Sequence, residues 1–309
     1  MINLNIKYIV DEQYSGKTVK FILKNIIELS ERFIKKLKNS GGILCNSAPA
    51  YVNAVVKKGD AIEILMDFTE ESKEIIPENI DINIIFEDEW MIVLDKPPYM
   101  VVHPTFNYAS GTLANAVAYY LKRKGEFKKI RPVSRLDRDT SGIIVFAKSP
   151  FVQEALIRQM KDKTFSKEYM GIVYGNMGQG TGTIDLPIDR KPGSIITRHI
   201  APSGMPSVTH YSVLEILNNS SLLRFKLETG RTHQIRVHCQ AIGHPIVGDS
   251  LYSHILPDTG FPCLPAGVAD RQALHSCKVC FVHPFSKKSM ELTAPLPDDI
   301  KNLLEILRK

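Results

Sequence analysis

The sequence lacks any apolar run long enough to cross a bilayer, and its first residues lack a basic stretch followed by an apolar one. A membrane-spanning helix needs roughly 18 apolar residues or more, and a secretory signal begins with that basic-then-apolar pattern. With 309 residues, of which 44% are hydrophobic, the chain can bury a core and has room for two domains. We therefore expect a cytoplasmic protein that does not contact a membrane.

Cysteine is also scarce, with five residues spread along the chain: Cys45, Cys239, Cys263, Cys277 and Cys280. An odd, scattered set in a cytosolic chain of this length indicates reduced thiols rather than a disulfide framework. Only Cys277 and Cys280 form a C-x-x-C pair, and they lie in a strand-like run without a second pair of ligands. We expect them to fill a sheet rather than to bind zinc or exchange electrons.

Charge is unevenly distributed. The net charge of +6 and the pI near 8.9 favour a polyanionic partner only weakly. One short segment, however, concentrates basic residues: Lys122, Arg123, Lys124, Lys128, Lys129, Arg131, Arg135 and Arg138. Residues 67–89 are mainly acidic. The pattern predicts a basic surface beside an acidic connector.

Residues 11–66 have the pattern of a small α/β unit. We predict two helices and two short strands there: Val19–Ile27, Glu31–Lys38, Ile43–Cys45 and Ala61–Met66. Ser30 is placed to cap the second helix, whose apolar face consists of Phe33, Ile34 and Leu37. Its other face carries Arg32, Lys35, Lys36 and Lys38, and such a charged face is most often only solvated.

Residues 67–80 are polar, carry Pro77, and are the best candidate for a linker. We place a domain boundary near Glu78, which divides the chain into 1–78 and 79–309. Beyond it, predicted strands alternate irregularly with helices at Leu113–Lys124 and Pro150–Asp162; the strands are Met91–Leu94, Gly142–Ala147, Gly171–Tyr174, Leu222–Leu227 and Val279–His283. That order predicts an α+β fold, with a mixed, mostly antiparallel sheet and flanking helices.

The most distinctive segment runs from Arg135 to Gly142, RLDRDTSG, and precedes an apolar strand. It is compatible with a turn whose polar side chains bond their own backbone. A carboxylate held there between Arg135 and Arg138 would instead stay ionised at neutral pH, as a nucleophile must. Asp137 and Asp139 are less suited to act as a glycosidase pair, since such carboxylates usually come from different elements.

A second polar segment, Glu228–His238, leads from a strand towards a helix and contains two arginines, two histidines and a glutamine. It is compatible with a polar surface loop. His233, His238 and His244 have no familiar metal-ligand spacing, so we expect no metal. A third segment contains Tyr169, which is either a core residue or a ring on which a base stacks.

Taken together, these segments resemble the RluA-type family of pseudouridine synthases, which modify large-subunit ribosomal RNA and some transfer RNA. The matching motifs, in chain order, are Asp95–Pro97, Val102–Pro104, Gly111–Ala116, Arg135–Gly142, Lys167-x-Tyr169, Gly230–Arg236, Gly243–Tyr252, Leu274–His275, His283–Pro284 and Ala294–Pro297. Each motif alone is weak evidence, but the ordered series spans most of the chain beyond residue 90.

The resemblance implies roles for three residues and no cofactor. Asp137 would be the nucleophile, acting at the ribose C1′ or drawing a proton from C2′ to release uracil. Arg236 would pair with Asp137 and occupy the space vacated by the flipped base, and Tyr169 would stack on the uracil and assist proton removal from C5. The target must leave the helical stack, because its reacting atoms are inaccessible within it. RNA contacts are expected from Arg135, Arg138, Arg231 and His233.

The N-terminal unit resembles the S4 RNA-binding module in the segments SERFIKKLKNSGGILCN and VVKKGDAIEI. The resemblance implies that Arg32, Lys35 and Lys36 lie on an RNA backbone. Asn46–Ser47 stands where that module has an asparagine-glycine turn.

Two positions depart from the RluA-type pattern. Ser134 replaces the histidine usual before Arg135, and a basic residue often found near Met205 is absent. Ser134 either alters how the flipped strand is held or is a harmless variant. Ribosomal RNA is the expected substrate, transfer RNA the second candidate, and a monomer suffices. The rival functions are a noncatalytic RNA-binding protein and a glycosidase that releases free base.

Overall fold

The computed structural model of the chain describes residues 5–66, 75–253 and 269–309. The strands are β1 (Asn5–Ile9), β2 (Ile43–Cys45), β3 (Ala48–Pro49), β4 (Ala61–Leu65), β5 (Asn83–Glu87), β6 (Met91–Lys96), β7 (Arg131–Pro132), β8 (Ser141–Ala147), β9 (Ser166–Tyr174), β10 (Thr181–Asp185), β11 (Ile188–Arg190), β12 (Arg198–Ile200), β13 (Val208–Leu217), β14 (Ser220–Leu227), β15 (Leu274–Val282) and β16 (Ser289–Thr293). The helices are α1 (Val19–Phe21, followed by a π-helical turn, Ile22–Ile26), α2 (Glu31–Asn39), α3 (Leu113–Arg123), α4 (Pro150–Lys161), α5 (Gln234–Ala241) and α6 (Asp298–Leu307).

The strands form three sheets. The N-terminal sheet has the order β1-β4-β2-β3, and a small sheet pairs β11 with β12. The large sheet follows the path β10-β13-β14-β9-β15-β8-β6-β5, with β7 on β8 and β16 on β15. Its pairings are antiparallel except for β15 with β8. The predicted α+β class, with a mixed and mostly antiparallel sheet, is therefore confirmed.

Helices cover both faces of the large sheet because side chains alternate along each strand. In β6, Ile92 and Leu94 pack with α3, whereas Met91 and Val93 belong to the core that includes α4. In β9, Ile172 packs with α6. Val173 faces the other way and packs with α5. The face of β9 that carries Tyr169 and Val173 therefore packs against α5, the helix that carries Arg236.

The parallel contact between β8 and β15 requires a glycine. Gly142 has a φ of +109°, and a Cβ atom at this position would lie 2.2 Å from the carbonyl oxygen of Ser276. Only glycine adopts this backbone conformation and also permits so close an approach. The end of the RLDRDTSG segment is thereby fixed against β15.

The predicted elements agree well with the structure. Ser30 Oγ accepts a hydrogen bond from Phe33 N at 3.1 Å, and Phe33, Ile34 and Leu37 are buried. Cys277 and Cys280 lie on β15, as expected for sheet residues. The first predicted helix is α-helical only as far as Phe21 and continues as a π-turn.

The N-terminal sheet and α2 pack against α4. Ser30 Oγ donates to Glu154 Oε1 at 2.6 Å, and Arg158 Nη1 donates to the carbonyl of Glu28 at 2.8 Å. The predicted linker falls partly on residues 67–74, which lie outside the described residues. Residues 75–80 already belong with the large sheet, since Ile75 is buried beside α3 and Glu78 accepts from Gly111 N. We therefore propose a boundary before Ile75 rather than at Glu78.

The turn between β2 and β3 carries strain that one substitution should relieve. Asn46 and Ser47 both have positive φ, at 52° and 65°, as a type I′ hairpin turn requires. Ser47 adopts this conformation at a steric cost that glycine avoids. Ser47→Gly is expected to raise the free energy of unfolding in urea by about 0.5–1 kcal/mol. Ser15→Gly, at a φ of −58°, is the control and should lower it; equal effects would contradict the prediction.

Candidate active site

A cleft of about 1010 Å³ opens between the large sheet, α5 and the β11–β12 hairpin. Its walls include six of the residues singled out in the sequence: Arg135, Asp137, Tyr169, Arg231, His233 and Arg236. Arg138 lies outside the lining. Arg32, Lys35 and Lys36 line a separate depression of about 420 Å³ on α2, together with Asn39 and Ser40.

Asp137 lies on the loop that leads into β8, and its partner comes from far along the chain. Arg236 Nη1 donates to Asp137 Oδ2 at 3.1 Å, and His233 Nε2 lies 3.9 Å from the same oxygen. Of the two arginines expected to flank this carboxylate, Arg138 does not pair with it. Arg138 instead turns to its other neighbour, Asp139, with Nε–Oδ1 and Nη2–Oδ2 distances of 2.7 and 3.0 Å.

Arg236 is held in place by a buried carboxylate. Its Nε and Nη2 donate to Asp249 at 2.6 and 2.8 Å, and the guanidinium lies 5.1 Å above the Tyr252 ring. Burial alone would lower the pKa of Arg236, but the hydrogen bonds and charge of Asp249, with those of Asp137, raise it above its ordinary value. The guanidinium therefore stays charged and gives Asp137 a fixed cationic partner.

The contacts of Arg236 include the expected pairing with Asp137. Its side chain is only 5% exposed, and Asp249 is completely buried. A side chain clamped in this way is placed to hold Asp137. Its expected occupation of the space vacated by the flipped base stays a prediction.

His233 faces Asp137 as a neutral ring. It has a left-handed backbone, φ 59°, at the N-terminus of α5, and its Nδ1 lies 2.8 Å from the Tyr252 hydroxyl. That hydroxyl accepts from Arg198 N, so its proton is directed at Nδ1. The arrangement favours the tautomer with its proton on Nε2, towards Asp137. Burial lowers the pKa of His233, which keeps the ring neutral at pH 7.

Tyr169 projects from β9 on the face that packs with α5. It is 6% exposed and belongs to an apolar cluster with Leu136, Phe225 and Ile235. Burial, reinforced by the charge of Asp137, raises the pKa of Tyr169 above its ordinary value. The side chain is therefore a neutral phenol at physiological pH.

The loop that bears Asp137 is supported by side chains to which the sequence analysis assigned no role. One of them, Lys96, belongs to the Asp95–Pro97 motif. Lys96 Nζ donates to the carbonyls of Pro97, Met100 and Arg138, each at 2.8 Å. Three acceptors require the three donors of an ammonium group. Burial, with the nearby charge of Arg271, lowers the pKa of Lys96 to about 7.

A second support comes from the segment that leads into β15. Arg271 Nη1 donates to the carbonyl of Asp139 at 2.9 Å, while its Nε donates to Asp299 on α6 at 2.6 Å. Gln272 Nε2 donates to Thr140 Oγ1 at 3.1 Å. The loop that bears Asp137 is therefore held by several buried side chains that donate hydrogen bonds to it.

Ser134, the residue that departs from the family pattern, contacts a lysine of the cleft wall. Lys167 Nζ donates to Ser134 Oγ. Burial lowers the pKa of Lys167 to about 8, so the amine is mostly protonated at pH 7. Lys167, in contact with Ser134, is therefore a cation in the wall of the cleft that contains Asp137.

Two other kinds of site were considered for these residues, a metal site and a glycosidase-type pair of carboxylates. The described residues contain no cluster of three His, Cys, Asp or Glu side chains placed to hold a metal ion. His233, His238 and His244 each bond a different partner. Asp139 does not line the cleft. In the described part of the chain, no helix is long and apolar enough to span a membrane.

Comparison with known proteins gives consistent matches. A family model described as RNA pseudouridylate synthase matches residues 90–241. The chain is 37% identical to an uncharacterized RNA pseudouridine synthase of Bacillus subtilis, YhcT, over 96% of both chains. It is 38% identical to the ribosomal large subunit pseudouridine synthase D of Pasteurella multocida, over 82% of this chain and 79% of that protein.

Solved structures match the fold. Human RNA pseudouridylate synthase domain containing 1 aligns with a TM-score of 0.55 and 26% identity, covering 71% of this chain and 84% of that one. The human domain containing 4 protein aligns with a TM-score of 0.58 at 22% identity, over 73% and 93% of the two chains, and so supports the fold alone.

Proposed function

Because the chain belongs to the RNA pseudouridylate synthase family, we propose that it isomerises specific uridines of large-subunit ribosomal RNA, with Asp137 as the nucleophile. The observation that carries this proposal is the carboxylate of Asp137, partly exposed in the cleft and 3.1 Å from Arg236. An acidic residue fixed by a charged donor at the floor of a nucleotide-sized cleft is suited to attack at a sugar.

The reaction exchanges one glycosidic bond for another. The bond between C1′ and N1 breaks, the uracil turns, and C1′ bonds to C5; the proton on C5 is lost to solvent and N1 gains one. Asp137 either bonds to C1′ as uracil departs or takes a proton from C2′. Both routes need an ionised carboxylate whose position does not change. The hydrogen bond from Arg236 to Asp137 and the one from Lys96 to the carbonyl of Arg138 in the same loop support that position.

Tyr169 is proposed to contact the uracil during its rotation. Its side chain lines the same cleft as Asp137. Since burial keeps the phenol protonated, Tyr169 acts as a stacking surface and as a hydrogen-bonding relay for the C5 proton, not as a tyrosinate. Arg236 remains beside Asp137, and His233 takes a positioning role at the same carboxylate rather than the RNA contact expected from the sequence.

The target uridine is proposed to leave its helix and enter the cleft, at a cost of about a few kcal/mol that is lowest in loops and bulges. Exposed basic side chains offset this cost through phosphate contacts. Near the cleft these are Arg135, Arg138 and Arg231. On the N-terminal unit, proposed to be an S4-like RNA-binding domain, they are Arg32, Lys35 and the half-buried Lys36.

Tritium release tests the proposed function. Wild-type protein is incubated with large-subunit ribosomal and transfer RNA transcripts that carry 5-tritiated uridine, and free uracil is measured in the same samples. Release of tritium from ribosomal RNA without free uracil is the expected result. Free uracil would indicate a glycosidase, and tight binding of both RNAs without release would indicate a noncatalytic RNA-binding protein.

Lys167 should give the reaction a basic pH limb. Its pKa is lowered to about 8, so the free enzyme carries this charge below pH 8 and loses it above. If the cation contacts the RNA backbone in the cleft, kcat/KM, which reports the free enzyme, falls as pH rises through about 8. Lys167→Met should have a lower kcat/KM at pH 7 and no limb near pH 8. A limb that persists in this variant would contradict the assignment.

A further inference from the structure

A two-residue turn that is closed by backbone hydrogen bonds projects an aromatic ring beside the cleft. Thr105 and Tyr108 exchange two backbone hydrogen bonds, each 3.0 Å long, and Phe106 and Asn107 form the tip between them. The Phe106 side chain is fully exposed. Full exposure of a phenylalanine on a turn closed by two hydrogen bonds leaves a large apolar surface without a partner among the described residues.

The turn is continuous with the active site. His103, Pro104 and Thr105 line the same cleft as Asp137. At the other end of the turn, the Tyr108 hydroxyl accepts from Arg138 Nη1 at 2.9 Å, and Arg138 directly follows Asp137 in the chain. The turn that carries Phe106 is thereby connected to the loop that bears Asp137.

The charge around the tip favours a nucleic acid over an apolar protein surface. Arg135 and Arg138 are both exposed on the adjacent loop. A ring flanked by cations matches a base flanked by phosphates, since each base presents a π-face for stacking and each phosphate an anion. The other exposed apolar tip near the cleft, at Ile195 and Ile196, has no ring to stack.

We propose that Phe106 stacks on a base that flanks the target uridine, where removal of the uridine from the helix uncovers a base face. The assignment rests on the proposed function. It uses an exposed aromatic ring beside the cleft, whereas the side chain of Arg236 is only 5% exposed. Phe106 is thus a substrate-binding residue that holds the RNA open while the uridine is in the cleft.

Fluorescence and kinetics test this contact in the full-length protein. The modified uridine is first mapped with the wild type, and 2-aminopurine is then placed next to it in a stem-loop of that RNA. Binding is followed in the Asp137→Asn background, so that no turnover occurs. In that background Phe106→Ala should lose the change in 2-aminopurine fluorescence seen on binding. With Asp137 intact, Phe106→Ala should lower kcat/KM by roughly 5- to 150-fold, the range for one base–aromatic stack.

Three further variants separate stacking from other effects. Phe106→Trp should retain both signals, and Phe106→Leu should behave like the alanine variant because it is apolar without a ring. Ile306→Ala, an exposed apolar residue on α6, should match the wild type. If Phe106→Ala is within twofold of an active wild type, or Phe106→Leu retains both signals, the inference is wrong. Absence of pseudouridine with the wild type itself would instead contradict the proposed function.

Discussion

Asp137→Asn is expected to abolish pseudouridine formation while the fold and the affinity for RNA are retained. The substitution keeps the size of the side chain and an oxygen that can accept from Arg236, but it removes the charge and the nucleophilic character. The loss of kcat should reach about 10⁴-fold or more, as for other enzymes that lose a covalent nucleophile. Tritium release under single-turnover conditions measures it, with unfolding in urea as the check on the fold.

Asp139→Asn is the matched control, two residues away in the same loop. Its carboxylate pairs with the half-exposed Arg138 and does not line the cleft. Partly exposed ion pairs contribute little, so this variant should lose at most about tenfold. Retention of more than about one hundredth of wild-type activity by Asp137→Asn would exclude Asp137 as the nucleophile, given the size of effect expected.

Asp249→Ala should be the most destabilising substitution in the active site, and it should also inactivate the enzyme. Asp249 is fully buried, and its two oxygens hold the guanidinium of Arg236. Its removal leaves a buried cation with only Asp137 as a partner, which costs about 3–5 kcal/mol in comparable cases. The free energy of unfolding in urea measures this loss. Asp298→Ala, at an exposed pair on α6, should cost less than about 1 kcal/mol.

A double substitution separates stability from catalysis at this pair. Asp249→Leu combined with Arg236→Met removes both buried charges, so most of the lost stability should return. Activity should not return, because Asp137 then lacks its cationic donor. If the loss of stability in the double variant equals the sum of the losses in Asp249→Leu and Arg236→Met alone, the pair does not act as a unit.

Local structure was predictable where a single segment determines it. Ser30 and the spacing of Phe33, Ile34 and Leu37 specify the start and the buried face of α2 without reference to the rest of the chain. The strand that follows Gly142 was equally evident, since it is a continuous apolar run. The helical form of Ile22–Ile26 was not predictable, because residue propensity does not distinguish a π-helical turn from an α-helical one.

The site was predictable only in part, because its geometry depends on distant residues. Nothing in the spacing of Asp137 and Arg236 indicates that they meet across 99 positions; the family resemblance implied it. The choice of Arg236 over the neighbouring Arg135 and Arg138 depends on the direction in which each loop side chain points. The burial of Asp249 and Lys96 depends on the packing of α5 and β15 around them, which single-segment patterns do not report.

The hydrogen bond from Ser30 to Glu154 has a consequence for the choice of substrate. The residue that caps the basic helix α2 is anchored to α4 of the large sheet, so the depression lined by Arg32 and Lys35 and the cleft that contains Asp137 keep a set separation. An RNA that engages both surfaces must present its backbone and its uridine with that same spacing. The enzyme would then select its site by the distance between two features of a folded RNA rather than by the bases between them.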